Sequence, residues 1–206
     1  VWKNKLKIKM DLHVHSQHSP DSSLTIKEII QYYYDHGFNA ISITDHNTFE
    51  GSLKAKRILK NLGYDLIVLL GAEIETCQGE LIVLSLEEME RIPYNCEELI
   101  DEVKSLGGLT YAPHPFDPKR RGLREKIYEL EGLDAIEVIN GRIAKKYNDL
   151  ALRAARILGK PGLANSDAHT YCDLGRTYTL LEVANISEEA ILKSIKENKI
   201  IRYIQN

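Results

Sequence analysis

Five of the seven histidines of this chain fall in four short motifs, three of which also carry a carboxylate. They read D-L-H-V-H-S at Asp11 to Ser16, T-D-H-N at Thr44 to Asn47, A-P-H-P at Ala112 to Pro115, and S-D-A-H at Ser166 to His169. Imidazole and carboxylate are the ligand set of zinc, manganese and iron, and histidine is the commonest metal ligand. His13 and His15 are two apart on a strand-like run, so both imidazoles can reach one ion. Asp11, two further back, shares that face by parity and is placed to orient a ligand.

Asp21 follows in S-P-D-S, where aspartate is an ordinary turn residue. Asp45 and His46 are adjacent and point to opposite faces; we take His46 as the ligand and Asp45 as its supporting partner. Glu73 ends L-I-V-L-L-G-A-E, where an unpaired carboxylate is costly to bury. Glu75 shares its face and competes for the role. His114 is held between two prolines, and Asp167 and His169 repeat the i, i+2 spacing. Each motif alone has a structural explanation. All four recur after an apolar run, and together they predict one metal-dependent hydrolytic site.

The elements that must position these groups are short. Apolar β-branched runs at 7–14, 39–44, 66–74, 109–112, 135–139 and 162–164 read as strands, and 80–84 and 176–183 read as two more. Between them lie helical stripes: Ile26, Ile29, Ile30 and Tyr33; Leu99, Ile100, Val103 and Leu106; Ala151, Ala154, Ala155 and Leu158; Ile191, Leu192 and Ile195. Thr25 with Glu28, and Asn95 with Glu98, have the spacing that caps a helix start. Strand and helix alternating predicts a parallel sheet covered by helices. Chemistry-bearing residues supplied by the ends of several strands converge only if the strands close into a ring, so we expect an irregular barrel of about seven strands.

Composition sets the outer limits. A chain of 206 residues with 43% hydrophobic and 28% charged residues fits one α/β domain. A net charge of −3 argues against a broad nucleic-acid or membrane surface. Three irregularly spaced cysteines point to a reducing compartment, and no bilayer-length apolar run or signal-peptide pattern is seen, so the expected location is cytoplasmic.

In this order, D-L-H-V-H-S, I-T-D-H-N, G-A-E, A-P-H-P and S-D-A-H resemble the polymerase and histidinol phosphatase (PHP) superfamily, over nearly the whole chain. The resemblance implies a distorted (β/α)7 TIM-like barrel and phosphoester hydrolysis by two or three divalent transition-metal ions (Zn, Mn or Fe). It implies one ion on His13, His15, Glu73 and Asp167, a second bridged by Glu73 and bound by His114, and a third on Asp21, His46 and His169. Relatives often add a histidine at the end of the strand reading A-I-E-V-I-N; here Asn140 is the nearest counterpart, with Glu137 a less suitable substitute. Only 40 residues separate Glu73 from His114, so a single barrel domain over residues 1–206 is expected, without the cap that some relatives insert there.

The expected reaction is attack by a hydroxide bridging two ions and held by Glu73 and Asp167, with Asp167 accepting its proton and His169 or metal-bound water assisting the leaving group. Lys119, Arg120, Arg142, Arg176 and Asn140 are the candidates for holding substrate. The expected substrate is a phosphomonoester, nucleotide or nucleic-acid end: a small phosphorylated molecule, nucleic acid as substrate only, and no membrane. Two other classes share these residues. One is a non-catalytic metal-binding or regulatory module in a nucleic-acid-processing assembly, and the other is a metal-dependent amide or lactone hydrolase.

Overall fold

A computed structural model describes residues 5–205. Among the described residues nine strands form one sheet, in the order β7-β6-β5-β4-β3-β2-β1-β8-β9. In chain order the elements are β1 (Leu6–Val14), α1 (Ile26–Asp35), β2 (Ala40–Ile43), α2 (Glu50–Leu62), β3 (Ile67–Glu75), β4 (Glu80–Ser85), α3 (Cys96–Ser105) and β5 (Leu109–Ala112). They continue with β6 (Ala135–Asn140), α4 (Lys145–Leu158), β7 (Gly162–Asn165), β8 (Thr177–Val183), α5 (Glu188–Lys196) and β9 (Ile200–Gln205).

The sheet curls until its ends approach. A parallel bridge between Val14 and Ala168 joins the tip of β1 to the segment leaving β7, and Thr179 Oγ1 on β8 bonds both N and O of Ala164 on β7. The result is a nearly closed, distorted barrel. Its interior is one apolar cluster drawn from all of β1–β8, including Met10, Leu12, Leu69, Ile82, Tyr111 and Leu163, and Ile191, Leu192 and Ile195 of α5 plug one end. Two outer clusters pack α1 and α2, and α3 and α4, against the outside of the sheet.

The expected stripes form. Ile26, Ile29, Ile30 and Tyr33 are the buried residues of α1, whose N-terminus carries the full Thr25–Glu28 capping box, and Asn95 accepts from Glu98 N at the start of α3. Helix α2 had no such stripe in the sequence. Its buried residues are Gly51, Ser52, Ala55 and Leu59, mostly small, so periodicity is weak where close packing is tightest.

The sheet is not wholly parallel, which corrects the expectation from alternation. β4 runs antiparallel to both β3 and β5, and β8 runs antiparallel to β1 and β9. The β3–β4 link is a short turn in which Thr76 N bonds Gly79 O, too short for the crossover that parallel neighbours need. No helix among the described residues is long and apolar enough to cross a membrane.

Candidate metal centre

The histidine-bearing segments leave β1, β2, β5 and β7 at one rim of the barrel, joined there by the end of β3. On β1 the side-chain alternation slips. Met10 and Leu12 point into the interior cluster, Val14 packs with α1 and α2, and the pairing register with β2 shifts between Asp11 and Val14. Asp11, between two inward residues, faces outward by ordinary alternation, and the slip after it sends His13 and His15 to the rim. Asp11 therefore touches neither imidazole and supports the ligand strand through its backbone instead, accepting from His13 N at 3.4 Å. It accepts from Tyr33 Oη at 2.6 Å and Ser166 N at 3.1 Å, tying α1 to the β7 loop. Burial raises its pKa to about 6 against those bonds.

On β2 the chain continues to pair with β3 as far as a His46–Glu73 bridge, which sets those two side chains together. His114 and Asp167 both have left-handed backbone, with φ of 27° and 54°. Strain of this kind costs on the order of 1–3 kcal/mol and persists where surrounding structure over-determines it. For Asp167 the constraint is visible: its N bonds His13 O at 2.9 Å, while His15 N bonds Ala168 O at 2.9 Å.

The structure brings all eight expected ligand residues to this rim. His13 Nε2 and His15 Nε2 are 3.0 Å apart. Each lies 3.2–3.5 Å from Glu73 Oε2 and 3.4 Å from Asp167 Oδ1. A tetrahedral ion with bonds of about 2.0–2.1 Å has ligand–ligand edges of roughly 3.3 Å, close to these spacings. Glu73 Oε2 and Asp167 Oδ1 are buried without a hydrogen-bond partner among the described residues, a cost that a cation between them would remove. A second set joins His13, Glu73 and His114, with His114 Nε2 2.9 Å from Glu73 Oε1. A third joins His15, Asp21, His46 and His169; Asp21 Oδ2 is 3.0 Å from His169 Nε2 and 3.6 Å from His46 Nε2. All donors are nitrogen or oxygen, so the residues fit zinc, manganese or iron.

Hydrogen bonds fix the tautomers. His13 Nδ1 donates to Glu137 Oε1 at 3.0 Å, which leaves Nε2 free to ligate. His15 Nδ1 donates to Ser19 Oγ at 3.1 Å, and Ser19 in turn donates to Asp45 at 2.8 Å. Asp45 also takes Ser16 N at 2.6 Å; through Ser19 it supports the His15 ring, and it reaches His46 through the backbone, His46 N donating to the same Ser19 Oγ at 3.1 Å.

The electrostatics are those of a centre that needs cations. Burial alone would raise the pKa of Glu73, but His13, His114 and His15 outweigh it and hold the carboxyl well below its usual range. Asp167 is likewise held far down against burial, by His13, His15 and Arg120. The same carboxylates lift His15 to about 9 despite burial. Burial and the charge of His15 instead push His169 down to about 4.

Of the expected substrate residues, Arg120 reaches Asp167 Oδ2 at 3.1 Å and the Arg142 guanidinium reaches His169 Nδ1. Asn140 is buried, its amide donating to Glu137 at 2.9 Å and Asp167 at 3.2 Å. Lys119 is exposed, and Arg176 turns to Asp173 at 3.5 Å, on the loop that carries His169. Glu75, the rival of Glu73, is more exposed and pairs with Arg121.

Two carboxylates gain weight from the structure. Glu137 accepts from four donors in the heart of the site, and its signal was present: a lone carboxylate inside an apolar strand, as for Glu73. Glu80 closes a further donor set with His46 and Glu73. It opens β4 after a glycine turn, so nothing in the local sequence marks it.

A profile of the PHP domain family matches residues 11–164, and one described as PHP-associated matches residues 145–200. The chain belongs to the PHP family, a class of metal-dependent hydrolases. Two uncharacterized proteins of Methanocaldococcus jannaschii are similar to it. One is 36% identical over 143 residues, 65% of this chain and 82% of that protein. The other is 33% identical over 190 residues, 88% of this chain and 73% of that protein. In fold, the chain is similar to a two-domain protein of Bacteroides vulgatus containing a predicted PHP-like metal-dependent phosphoesterase, with a TM-score of 0.78 and 18% identity over 98% of this chain. It spans 66% of that protein. It also resembles the lesion-specific endonuclease PfuEndoQ of Pyrococcus furiosus, with a TM-score of 0.70 and 22% identity, covering 96% of this chain and 58% of that one.

Proposed function

We propose that this protein hydrolyses phosphoester bonds in a phosphomonoester, a nucleotide or a nucleic-acid end, using two or three divalent transition-metal ions. The observation that carries the reading is the set of three adjoining donor groups, two of them meeting at Glu73, with Arg120 and Arg142 against the same groups. Ions bound there would supply Lewis acidity and lower the pKa of bound water.

The chain's own residues then have separable tasks. His13, His15, Glu73 and Asp167 hold the first ion; Glu73 and His114 the second; Asp21, His46 and His169 the third. Glu73 and Asp167 stay ionised across the working pH range. While Arg120 sits on Asp167 it weakens that carboxylate as a base. Transfer of the guanidinium to a substrate phosphate removes one of the positive charges that hold Asp167 down, beside His13 and His15, and makes it a better transient acceptor for the proton of the attacking water. His169, uncharged at neutral pH, ligates and holds the leaving-group side with Arg142. Lys119 and Arg176 stand further out as contacts for larger substrates, and Asn140 positions Asp167.

Guanidinium groups at the site favour a doubly charged phosphate over an amide or lactone. The substrate is a small phosphorylated molecule or nucleotide, with nucleic acid only as substrate and no membrane partner. The free thiols Cys77, Cys96 and Cys172 accord with a cytoplasmic setting. The test is a panel of phosphomonoesters, nucleotides, oligonucleotides, amides and lactones, assayed with the metal-loaded protein. Phosphate release is expected, and it should disappear in the His13→Ala/His15→Ala variant. Turnover confined to amides or lactones overturns the reading, and metal uptake with no turnover at all favours a binding module.

A further inference from the structure

The second donor set is short of ligands. His13 is already committed to the first ion, which leaves only Glu73 and His114. The two side chains that the sequence offers in place of the missing histidine are both engaged. Glu137 Oε1 accepts from His13 Nδ1 at 3.0 Å and Asn165 Nδ2 at 2.9 Å. Its Oε2 accepts from His114 N at 2.8 Å and Asn140 Nδ2 at 2.9 Å. A carboxylate has about four lone-pair sites, and here all are filled. Asn140 gives its amide hydrogens to Glu137 and Asp167, and its oxygen accepts from Arg142 N at 2.9 Å.

Glu80 approaches from the opposite side. It begins β4, and its N bonds Arg121 O at 2.8 Å, which ties it to the loop that carries His114. Its ligand oxygen lies within 4.8 Å of donor atoms of both His46 and Glu73, and its Oε2 is 3.9 Å from His114 Nε2. The Glu80 side chain is only 13% exposed. Beside it, Glu73 Oε2 is fully buried and has no hydrogen-bond partner among the described residues. Two desolvated carboxylates facing one another repel unless a cation lies between them.

We propose that Glu80 is a ligand of the second ion, joining Glu73 and His114 in place of the histidine absent from the end of β6. The proposal rests on the metal-centre reading above but not on the choice of substrate. One imidazole with two carboxylates is a harder donor set than two imidazoles with one carboxylate. It therefore shifts this position toward manganese and away from zinc.

The test is metal uptake, independent of turnover. The full chain is stripped, reloaded with Mn²⁺ or Zn²⁺, desalted and analysed for metal, and each binding step is followed by calorimetry. Glu80→Gln keeps the shape and removes the charge. It should lose one equivalent of Mn²⁺, or weaken one step at least tenfold, with the other steps unchanged. Glu80→His should recover that equivalent with zinc. Equal stoichiometry and affinities in wild type and Glu80→Gln reject Glu80 alone. A folded Glu80→His that binds no more zinc than Glu80→Gln also rejects it. Wild type taking up fewer than one equivalent of either metal rejects the metal-centre reading and this proposal together.

Discussion

The most fully bonded side chain of the site has no acceptor position left for an ion. Glu137 is a buried hub: it sets the tautomer of His13, holds the backbone of His114 in its left-handed turn, and gathers the amides of Asn140 and Asn165. Partners of this kind are worth about 10–100-fold in metal affinity. Glu137→Gln removes two of the four acceptor positions and places an NH2 against other donors. We expect a 10–100-fold loss of first-ion affinity by calorimetry and a disordered His13 tautomer in ¹⁵N spectra of the zinc form. Unchanged affinity in a folded variant would refute the positioning role. Glu137→Asp, which keeps the charge but retracts it, should fall between.

At the scale of elements, what counts is how closely α2 approaches the β2 turn. A Cβ on Gly51 would fall 2.0 Å from Asp45 Oδ2 and 2.8 Å from Ile43 Cγ2. Asp45 cannot yield freely, because Ser16 N, Ser16 Oγ and Ser19 Oγ all donate to it. Gly51→Ala should therefore destabilise the fold by about 1–3 kcal/mol, the usual range for overpacking. It should also weaken metal binding through the Asp45–Ser19–His15 line. The exposed Lys54→Ala on the same helix serves as control, and equal denaturation midpoints for the two variants would contradict the argument. The same element shows where sequence runs out. Motifs written in consecutive residues, such as H-x-H and S-D-A-H, were legible because one turn of chain carries the whole signal. Two features depend on contacts between segments far apart in sequence, and no local pattern records them: the slip on β1 against β2, which parts His13 from Asp11, and the Ser19 relay to Asp45. The antiparallel β4 that delivers Glu80 follows instead from the short turn after β3, which the alternation of strands and helices obscured.

Over the whole molecule, fold and site draw on different parts of one barrel. Apolar residues from β1–β8 and α5 fill the interior below the rim, so the core does not need metal to form, unlike a small zinc-dependent module. The charged centre sits above that core and must be neutralised somehow. The barrel class was readable in the sequence because converging motifs require a ring. The extra strand β9 was not, because Ile200–Gln205 is partly exposed and lacks clean alternation.

Neutralisation without metal falls to protons, and this gives the stripped protein a distinctive pH dependence. His15 has an unfolded pKa near 6.5 and a folded value of about 9; burial opposes the rise, but Asp167 and Glu73 impose it. A base whose pKa is raised on folding contributes its stability in full below the unfolded value and loses it as pH climbs through the folded one. The chelated protein should therefore lose stability between about pH 6.5 and pH 9, by up to about 3 kcal/mol at 1.36 kcal/mol per pKa unit. With metal bound, the ion replaces that proton, so the loaded protein should hold its melting temperature across the same window. It should also melt higher, because a ligand at about 100 times its Kd adds roughly 2.7 kcal/mol. Thermal melts with and without chelator at pH 6.5, 7.5 and 8.5 provide the comparison. Parallel curves for the two forms would mean that the carboxylates around His15 do not hold a proton in the absence of metal.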